Sequence, residues 1–245
     1  MALPKPRQYT GSITKKLQLT KTVFQFFIQN QQPNPLLFTP GQYATFIIDP
    51  QTRRQYTFCS APNPSSFELI VDVSPMGVGS RYFLERKEGD RVEFLAPFGN
   101  FTLSENPLKK VFVATGTGIA PFRSMLLNGK EISNCSLYWG LRYEDDVYWD
   151  QEFQTLAGQY TGFQYFLVLS KPSQNWQGLT GHITEHVLKN PSFIPTHVGT
   201  SAGEGENLQN SEFYLCGNNA MITEMKNRLS AKNVRNERIK IDLFY

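Results

Sequence analysis

The sequence predicts two units of different class: an antiparallel β-barrel, then an α/β domain with a parallel sheet. Three observations carry this. Residues 8–104 break into six short runs rich in β-branched and aromatic residues, punctuated by Pro, Gly and Asn. After "SENPLKK" continuous apolar strands alternate with helix-length segments. The 245 residues suffice for one large domain or two ordinary ones. The change of pattern near residues 104–108 places the domains at 1–107 and 108–245.

The barrel strands are expected at "QYTGSITKKLQL", "TVFQFFIQ", "QYATFIID", "RQYTFCS", "FELIVDV" and "DRVEFLAP", with one short helix at "GSRYFLERK". The breaks between them are "NQQPNP", "TPGQ", "APNPSS" and "APFGN". In the second half "KKVFVAT" is a buried strand, followed by a glycine-rich turn and a helix at "APFRSMLLNG". Further strands are read at "SLYWGLR", "FQYFLVLS", "EFYLCG" and "RIKIDLFY". The helices between them lie near "WDQEFQTLAGQ", "GHITEHVLKN" and "NAMITEMKNRLSAKN". The polar stretch "PTHVGTSAGEGENLQNSE", residues 195–212, is read as a mobile surface insertion rather than a lid.

Composition narrows the function classes. Hydrophobic residues make up 40% and charged residues 18%, the range of a soluble globular protein. No apolar run approaches the ~20 residues of a membrane span. The N-terminus lacks the apolar core of a signal peptide, so the default compartment is the cytoplasm. Cys59, Cys135 and Cys216 are widely spaced, which argues against a disulfide framework, a zinc site or an iron–sulfur cluster. The net charge of +3 sits in residues 1–107, with 11 Lys/Arg against 8 Asp/Glu. That surplus is either solvated surface or a mildly basic face for an acidic partner, and it is too small to suggest nucleic acid.

Four stretches carry candidate chemistry. "RQYTFCS" places Arg54, Tyr56 and Thr57 together on a strand, which suits an anionic, flat ligand lying against the barrel wall. "PMGVGSRYF" puts Gly77 and Gly79 before Ser80 at a helix start; it is a capped barrel helix or an anion cradle. Paired with Arg54, it would form a pyrophosphate clamp. "ATGTGIAP" follows a buried strand and opens a helix, with Pro121 in the first turn. It is a tight strand–helix turn or a phosphate cradle in which Gly116 and Gly118 let a ligand approach the backbone. It lacks the GxGxxG spacing of an ordinary Rossmann dehydrogenase. In "YLCGNNAM", Cys216 ends a parallel strand and is either a core residue or points into the ligand crevice of an open α/β sheet.

In this order, "RQYT", "GVGS", "GTGIAP", "CG" and a short aromatic C-terminus resemble the ferredoxin–NADP reductase superfamily of flavoenzymes, through nearly the whole chain. The resemblance implies FAD as cofactor and NAD(P)H as substrate. It assigns Arg54 to flavin phosphate, Tyr56 to the isoalloxazine and ribityl, and Thr57 to the N5 edge. Backbone around Ile70 and Val71 would bond the pyrimidine edge, and Gly77, Val78, Gly79 and Ser80 the phosphates. Thr115, Gly116, Thr117 and Gly118 would cradle the pyridine nucleotide, with Cys216 beside the nicotinamide and Gly217, Asn219 and Met221 lining the pocket. Ser170, Lys171 and His182 fall where the adenosine ribose is read. Lys171 and His182 match basic positions of NADPH-using relatives, whereas "NWQGLTG" looks like NADH-using oxygenase reductases. Asp242 stands where relatives carry an acidic residue, usually Glu. Phe244 aligns with an aromatic that covers the flavin, and Tyr245 runs one residue further.

The implied activity is hydride transfer from nicotinamide C4 to flavin N5, then electron transfer to an acidic protein acceptor such as ferredoxin, flavodoxin or an oxygenase component. Thr57, Cys216 and Asp242 are the polar groups expected nearest that axis. A monomer or weak oligomer is expected. Two other readings stand beside it: a reductase of free flavin or another diffusible acceptor, and a non-catalytic flavin- or nucleotide-binding or electron-transfer subunit of a larger complex. Family subunits of the last kind often carry iron–sulfur ligands, and the absence of a cysteine cluster favours a stand-alone reductase.

Overall fold

A computed structural model describes residues 5–129, 132–189 and 208–243. The chain forms two compact units, Met1–Ser104 with Ala120–Lys130, and Glu105–Ile119 with Glu131–Tyr245.

The first unit contains six antiparallel strands: β1 (Arg7–Gln18), β2 (Val23–Gln32), β3 (Tyr43–Ile47), β4 (Arg53–Thr57), β5 (Ser66–Asp72) and β6 (Arg91–Phe98). They run in the order β4-β3-β6-β1-β2-β5. The two ends of that order meet: Cys59 N–H donates to the Glu68 carbonyl at 2.9 Å, and Glu68 N–H donates to Ser60 Oγ at 3.1 Å. The sheet thereby closes into the barrel that the six short runs predict. Alternating residues fill it with aromatic rings, Phe46 lying edge-on to Phe83 at 5.1 Å and Phe67 edge-on to Phe94 at 5.1 Å. The short helix α1 (Val78–Glu85) supplies Phe83 to that core. Helix α2 (Ala120–Leu127) also belongs to this unit, although it follows the first strand of the other.

The second unit is a parallel sheet of β7 (Lys109–Thr115), β8 (Cys135–Leu141), β9 (Phe163–Leu169), β10 (Leu179–Thr180), β11 (Ser211–Gly217) and β12 (Ile239–Leu243). Its helices are α3 (Asp150–Gln159), α4 (Ile183–Lys189) and α5 (Asn219–Ala231). Alternation sends Tyr138 into the core shared with Ile183, Val187 and Met225, and Trp139 toward Phe153 of α3. The order β10-β9-β8-β7-β11-β12 starts in the middle and grows both ways. Its switch point lies between β7 and β11, where open α/β sheets bind ligands beyond the strand ends.

Three features depart from the sequence reading. Strand β10 is too short to leave a periodic signal. Lys109 and Lys110 are buried at the start of an otherwise apolar strand. Lys110 Nζ pairs with Glu212 at 3.3 Å and donates to Asn106 Oδ1 at 2.6 Å. Lys109 Nζ donates to Gln164 at 3.1 Å, and burial lowers its pKa to about 8. The insertion read at 195–212 is shorter than expected at its C-terminal end. Leu208 is in the core, and Ser211 and Glu212 pair with Lys109 and Lys110 as the start of β11. Residues 195–207 of that insertion lie outside the described residues. Among the described residues no helix is long and apolar enough to cross a membrane.

Candidate functional site

The structure brings "RQYT" and "GVGS" together. A Cβ on Gly79 would strike the Tyr56 hydroxyl and lie 3.0 Å from Arg54 Cγ, so only glycine lets α1 settle on β4. Tyr56 packs edge-on to Phe83 at 4.7 Å, and its burial raises the phenol pKa to about 12, so it stays neutral. Arg54 is exposed, and its NH1 donates to the Arg53 carbonyl at 2.8 Å. The first turn of α1 has no side-chain cap at Gly77, and a Cβ there would meet nothing within 4 Å. The other end of α1 is held: Lys16 Nζ donates to the carbonyls of Phe83 at 3.2 Å, Leu84 at 2.6 Å and Arg86 at 2.9 Å. The Ser80 hydroxyl, expected on phosphate, donates to the Asp72 carbonyl at 3.2 Å and so ties the turn to β5.

Strand geometry separates Ile70 from Val71. Glu68 uses both backbone groups toward residues 59 and 60, and alternation sends those of Ile70 to the same outer edge. Val71 instead faces β2, opposite Phe24. Of the two, the edge donor and acceptor belong to Ile70. Thr57, at the end of β4, is buried opposite Tyr43.

The sheet switch point assembles a second cluster. Gly116 has φ +55°, a left-handed turn residue with open space around its Cβ position. Its carbonyl accepts from Trp139 Nε1 at 3.0 Å. The expectation that Gly118 clears space for a ligand needs correction. A Cβ there would lie 2.5 Å from the Cys216 carbonyl oxygen, so its missing side chain lets the turn pack on β11. Gly217, at φ +140°, is pressed in turn against Thr115. The Thr115 hydroxyl accepts from both Asn218 N–H and Asn218 Nδ2, each at 3.0 Å, and Asn218 Oδ1 caps α5 by accepting from Met221 N–H at 2.8 Å. Asn218 is the residue that sequence reasoning passed over in favour of Asn219; an Asn directly before a helix was the available signal. Asn219 is exposed on the first turn of α5, and Met221 is buried in the core.

Cys216 is fully buried, and burial, followed by the nearby Asp242 carboxylate, pushes its thiol pKa well up. Asp242 lies opposite it on β12, and desolvation raises that carboxyl to about 6. Phe244 and Tyr245, the expected flavin cover, lie outside the described residues.

Ser170 and Lys171 are exposed where β9 ends, and His182 is exposed just before α4. Lys171 N–H donates to the Arg142 carbonyl at 2.9 Å, which sets Arg142 beside it at the end of β8. Glu144 accepts from Ser173 N–H at 2.9 Å, and the Ser173 hydroxyl and backbone lower its pKa. Two basic side chains and a carboxylate hydrogen-bonded to Ser173 therefore share these strand ends.

The oxidoreductase FAD-binding domain family matches residues 10–103, and the oxidoreductase NAD-binding domain family matches residues 112–227. The chain belongs to the ferredoxin–NADP reductase-like family of FAD-binding oxidoreductases. The anthranilate 1,2-dioxygenase electron transfer component of Acinetobacter baylyi is 34% identical over 211 residues, covering 84% of this chain and 57% of that protein. Ferredoxin–NADP reductase B of Sorangium cellulosum is 28% identical over 213 residues, covering 84% of each. One component of the Na+-translocating NADH-quinone reductase of Klebsiella pneumoniae is 27% identical over 223 residues, 84% of this chain and 52% of that one. The chain thus spans little more than half of two of these three relatives. A cytochrome P450 reductase from Amycolatopsis shares the fold with a TM-score of 0.84 at 24% identity, over 99% of this chain and 71% of that one. A ferredoxin NADP+ reductase from Neisseria gonorrhoeae, solved with FAD and NADP bound, does so with a TM-score of 0.78 at 21% identity, over 99% and 100%.

As a member of this reductase-like family, the chain has FAD as its cofactor and a pyridine nucleotide as its second ligand. The residues present fit the first group. The exposed Arg54 guanidinium and the uncapped first turn of α1 form a donor set matched to a diphosphate, with open space at Gly77.

Proposed function

We propose that the protein is an NAD(P)H-dependent flavoprotein reductase that delivers electrons to a protein acceptor. The observation that supports this reading is that one chain holds two different glycine-rich turns opening helices: one at Gly77–Ser80 packed beside Arg54, and one without a charged side chain at the β7/β11 switch point. FAD held at these residues would supply the redox chemistry that links the nicotinamide to the acceptor. In this reading Arg54 and the first turn of α1 bind the diphosphate. Tyr56 presents a neutral ring, Ile70 an edge donor and acceptor, and Thr57 a hydroxyl toward the flavin. Thr115–Gly118 receive the nucleotide, and Asn218 keeps the Thr115 hydroxyl aligned. Cys216 stays a neutral thiol, and Asp242 is the group that can hold or yield a proton near neutral pH.

For the coenzyme, Lys171 and Arg142 favour a 2′-phosphate and Glu144 opposes it, so both NADH and NADPH are accepted. The acceptor reading rests on relatives named as an electron transfer component and a ferredoxin–NADP reductase, with the positive excess in residues 1–107. A cytoplasmic location is part of the same reading.

The test is direct. The purified protein is expected to be yellow, to release FAD on denaturation, and to be reduced anaerobically by either nucleotide in a stopped-flow spectrometer. Release of FMN alone, or no reduction by either nucleotide, defeats the proposal. A panel of ferredoxins, flavodoxins, cytochromes and quinones then identifies the acceptor, and turnover only with free flavin would remove the protein-acceptor part.

A further inference from the structure

Arg123 and Ser124 lie near the start of α2, just past the "GTGIAP" turn, and the roles assigned so far use neither. Arg123 NH1 donates to Glu68 Oε2 at 2.7 Å and to the Cys59 carbonyl at 2.9 Å. Ser124 Oγ donates to the Ser60 carbonyl at 2.6 Å. Gln25 Nε2 donates to the same Glu68 oxygen at 2.7 Å. Ser124 is fully buried, and the side chains of Arg123 and Glu68 are only 10% and 24% exposed.

The anchor points form a pattern. Cys59 and Ser60 follow Thr57 by two and three residues. Glu68 precedes Ile70 by two, on the same outer edge of β5. Helix α2 is therefore fastened to both strand segments assigned above to the flavin. At its N-terminal end α2 continues without a break from the turn Gly116–Ile119, assigned above to the nucleotide. The chemistry of the fastening is also informative. Well-packed apolar residues often stabilise as much as a buried ion pair, so stability alone does not call for one here. A guanidinium held by a carboxylate and a carbonyl fixes direction as well as distance.

We propose that Arg123 and Glu68, with Ser124, are positioning residues for hydride transfer. They hold α2 on the strands assigned to the flavin, and so fix the point in the chain from which the nucleotide turn departs. The inference rests on the flavin and nucleotide assignments of the proposed function. The lock touches neither ligand; it acts by restricting where the turn can present the nucleotide.

The experiment compares FAD-loaded wild type with Arg123→Met, Arg123→Lys, Glu68→Gln and Ser124→Ala, well below each melting temperature. The first readout is the limiting rate of flavin reduction at saturating NADH or NADPH. The second needs no turnover: the amplitude of the flavin difference spectrum on saturation with NAD+ or NADP+. Arg123→Met is expected to lower the limiting rate by about tenfold to a hundredfold, the scale of an ångström-level misplacement. It should also lose more than half of the spectral amplitude, with FAD content retained and part of the rate restored in Arg123→Lys. Glu68→Gln and Ser124→Ala should show the same pattern more weakly, and they carry the test if Arg123→Met does not fold. Variants that melt earlier but keep rate and amplitude within twofold of wild type make the lock mere tertiary glue and overturn the proposal. A wild-type protein that holds FAD but is reduced by neither nucleotide overturns the functional reading, and the lock with it.

Discussion

The turn that opens α1 and the turn that leads from β7 into α2 are both glycine-rich and both precede a helix, yet their glycines serve different neighbours. The space left by Gly79 is taken by Arg54 and Tyr56, so the first turn comes with a permanent cation attached. The space left by Gly118 is taken by the backbone of Cys216 and Gly217, and residues 115–119 contain no charged side chain. A diphosphate at the first turn gains charge-assisted hydrogen bonds, which are stronger than neutral ones. A dinucleotide at the second meets mainly backbone dipoles and hydroxyls. The contrast matches a cofactor that stays and a substrate that must leave.

Removing the charge is the strongest way to break that contrast. Arg54→Ala should leave mostly apoprotein, a loss of about 1.5–3 kcal/mol in FAD affinity for one charged hydrogen-bond partner. The ratio of flavin to protein absorbance reads it, and full flavin occupancy would show that the guanidinium is not the cofactor's anchor. Exchanging the glycines sharpens the comparison. Gly79→Ala should lower FAD content and Gly118→Ala should raise the nucleotide dissociation constant, each by overpacking worth about 1–3 kcal/mol. If Gly118→Ala also sheds FAD, the two turns are not separable in function.

A smaller effect is expected at Asn218. Its replacement by Ala removes the α5 cap, worth about 1 kcal/mol, and releases the Thr115 hydroxyl. Nucleotide binding should weaken while FAD content stays unchanged, and equal losses of both would contradict the assignment. The smallest is a pH effect. Asp242 is raised in the folded protein to about 6, above the 3.8 of a free Asp, because burial disfavours its charge. A raised carboxyl contributes most to stability when protonated, and that contribution fades as pH climbs from about 4 through 6. Asp242→Asn should therefore melt like wild type near pH 4 and gain about 1 kcal/mol near pH 8, allowing for its partial exposure. A gain that is the same at both pH values would mean that Asp242 is not strained by desolvation.

Much of the architecture was legible because it is written in local terms. Six alternating runs with Pro and Gly breaks describe a barrel whose strands each show one face to a core, and β1–β6 fall on them. Continuous apolar runs separated by helical segments describe a parallel sheet covered on both faces. The stretches "GVGS" and "GTGIAP" were legible as places where helices begin, since helix start signals act within a few residues. Asn218 was equally local, an N-cap overshadowed by its neighbour Asn219.

What only the tertiary structure decided are the relations between residues far apart in sequence. That Gly79 makes room for Tyr56 and that Gly118 makes room for β11 depends on which segments meet, and no local pattern encodes it. The same holds for α2, which follows a strand of the second unit in the chain but joins the first through Arg123, Glu68 and Ser124. It holds for Lys110, whose place in an apolar strand makes sense only once Glu212 arrives from 102 residues away. Residue identity sets which groups can bond or pack, and periodicity sets which face they show. The partner on that face is chosen when the whole chain has closed around them.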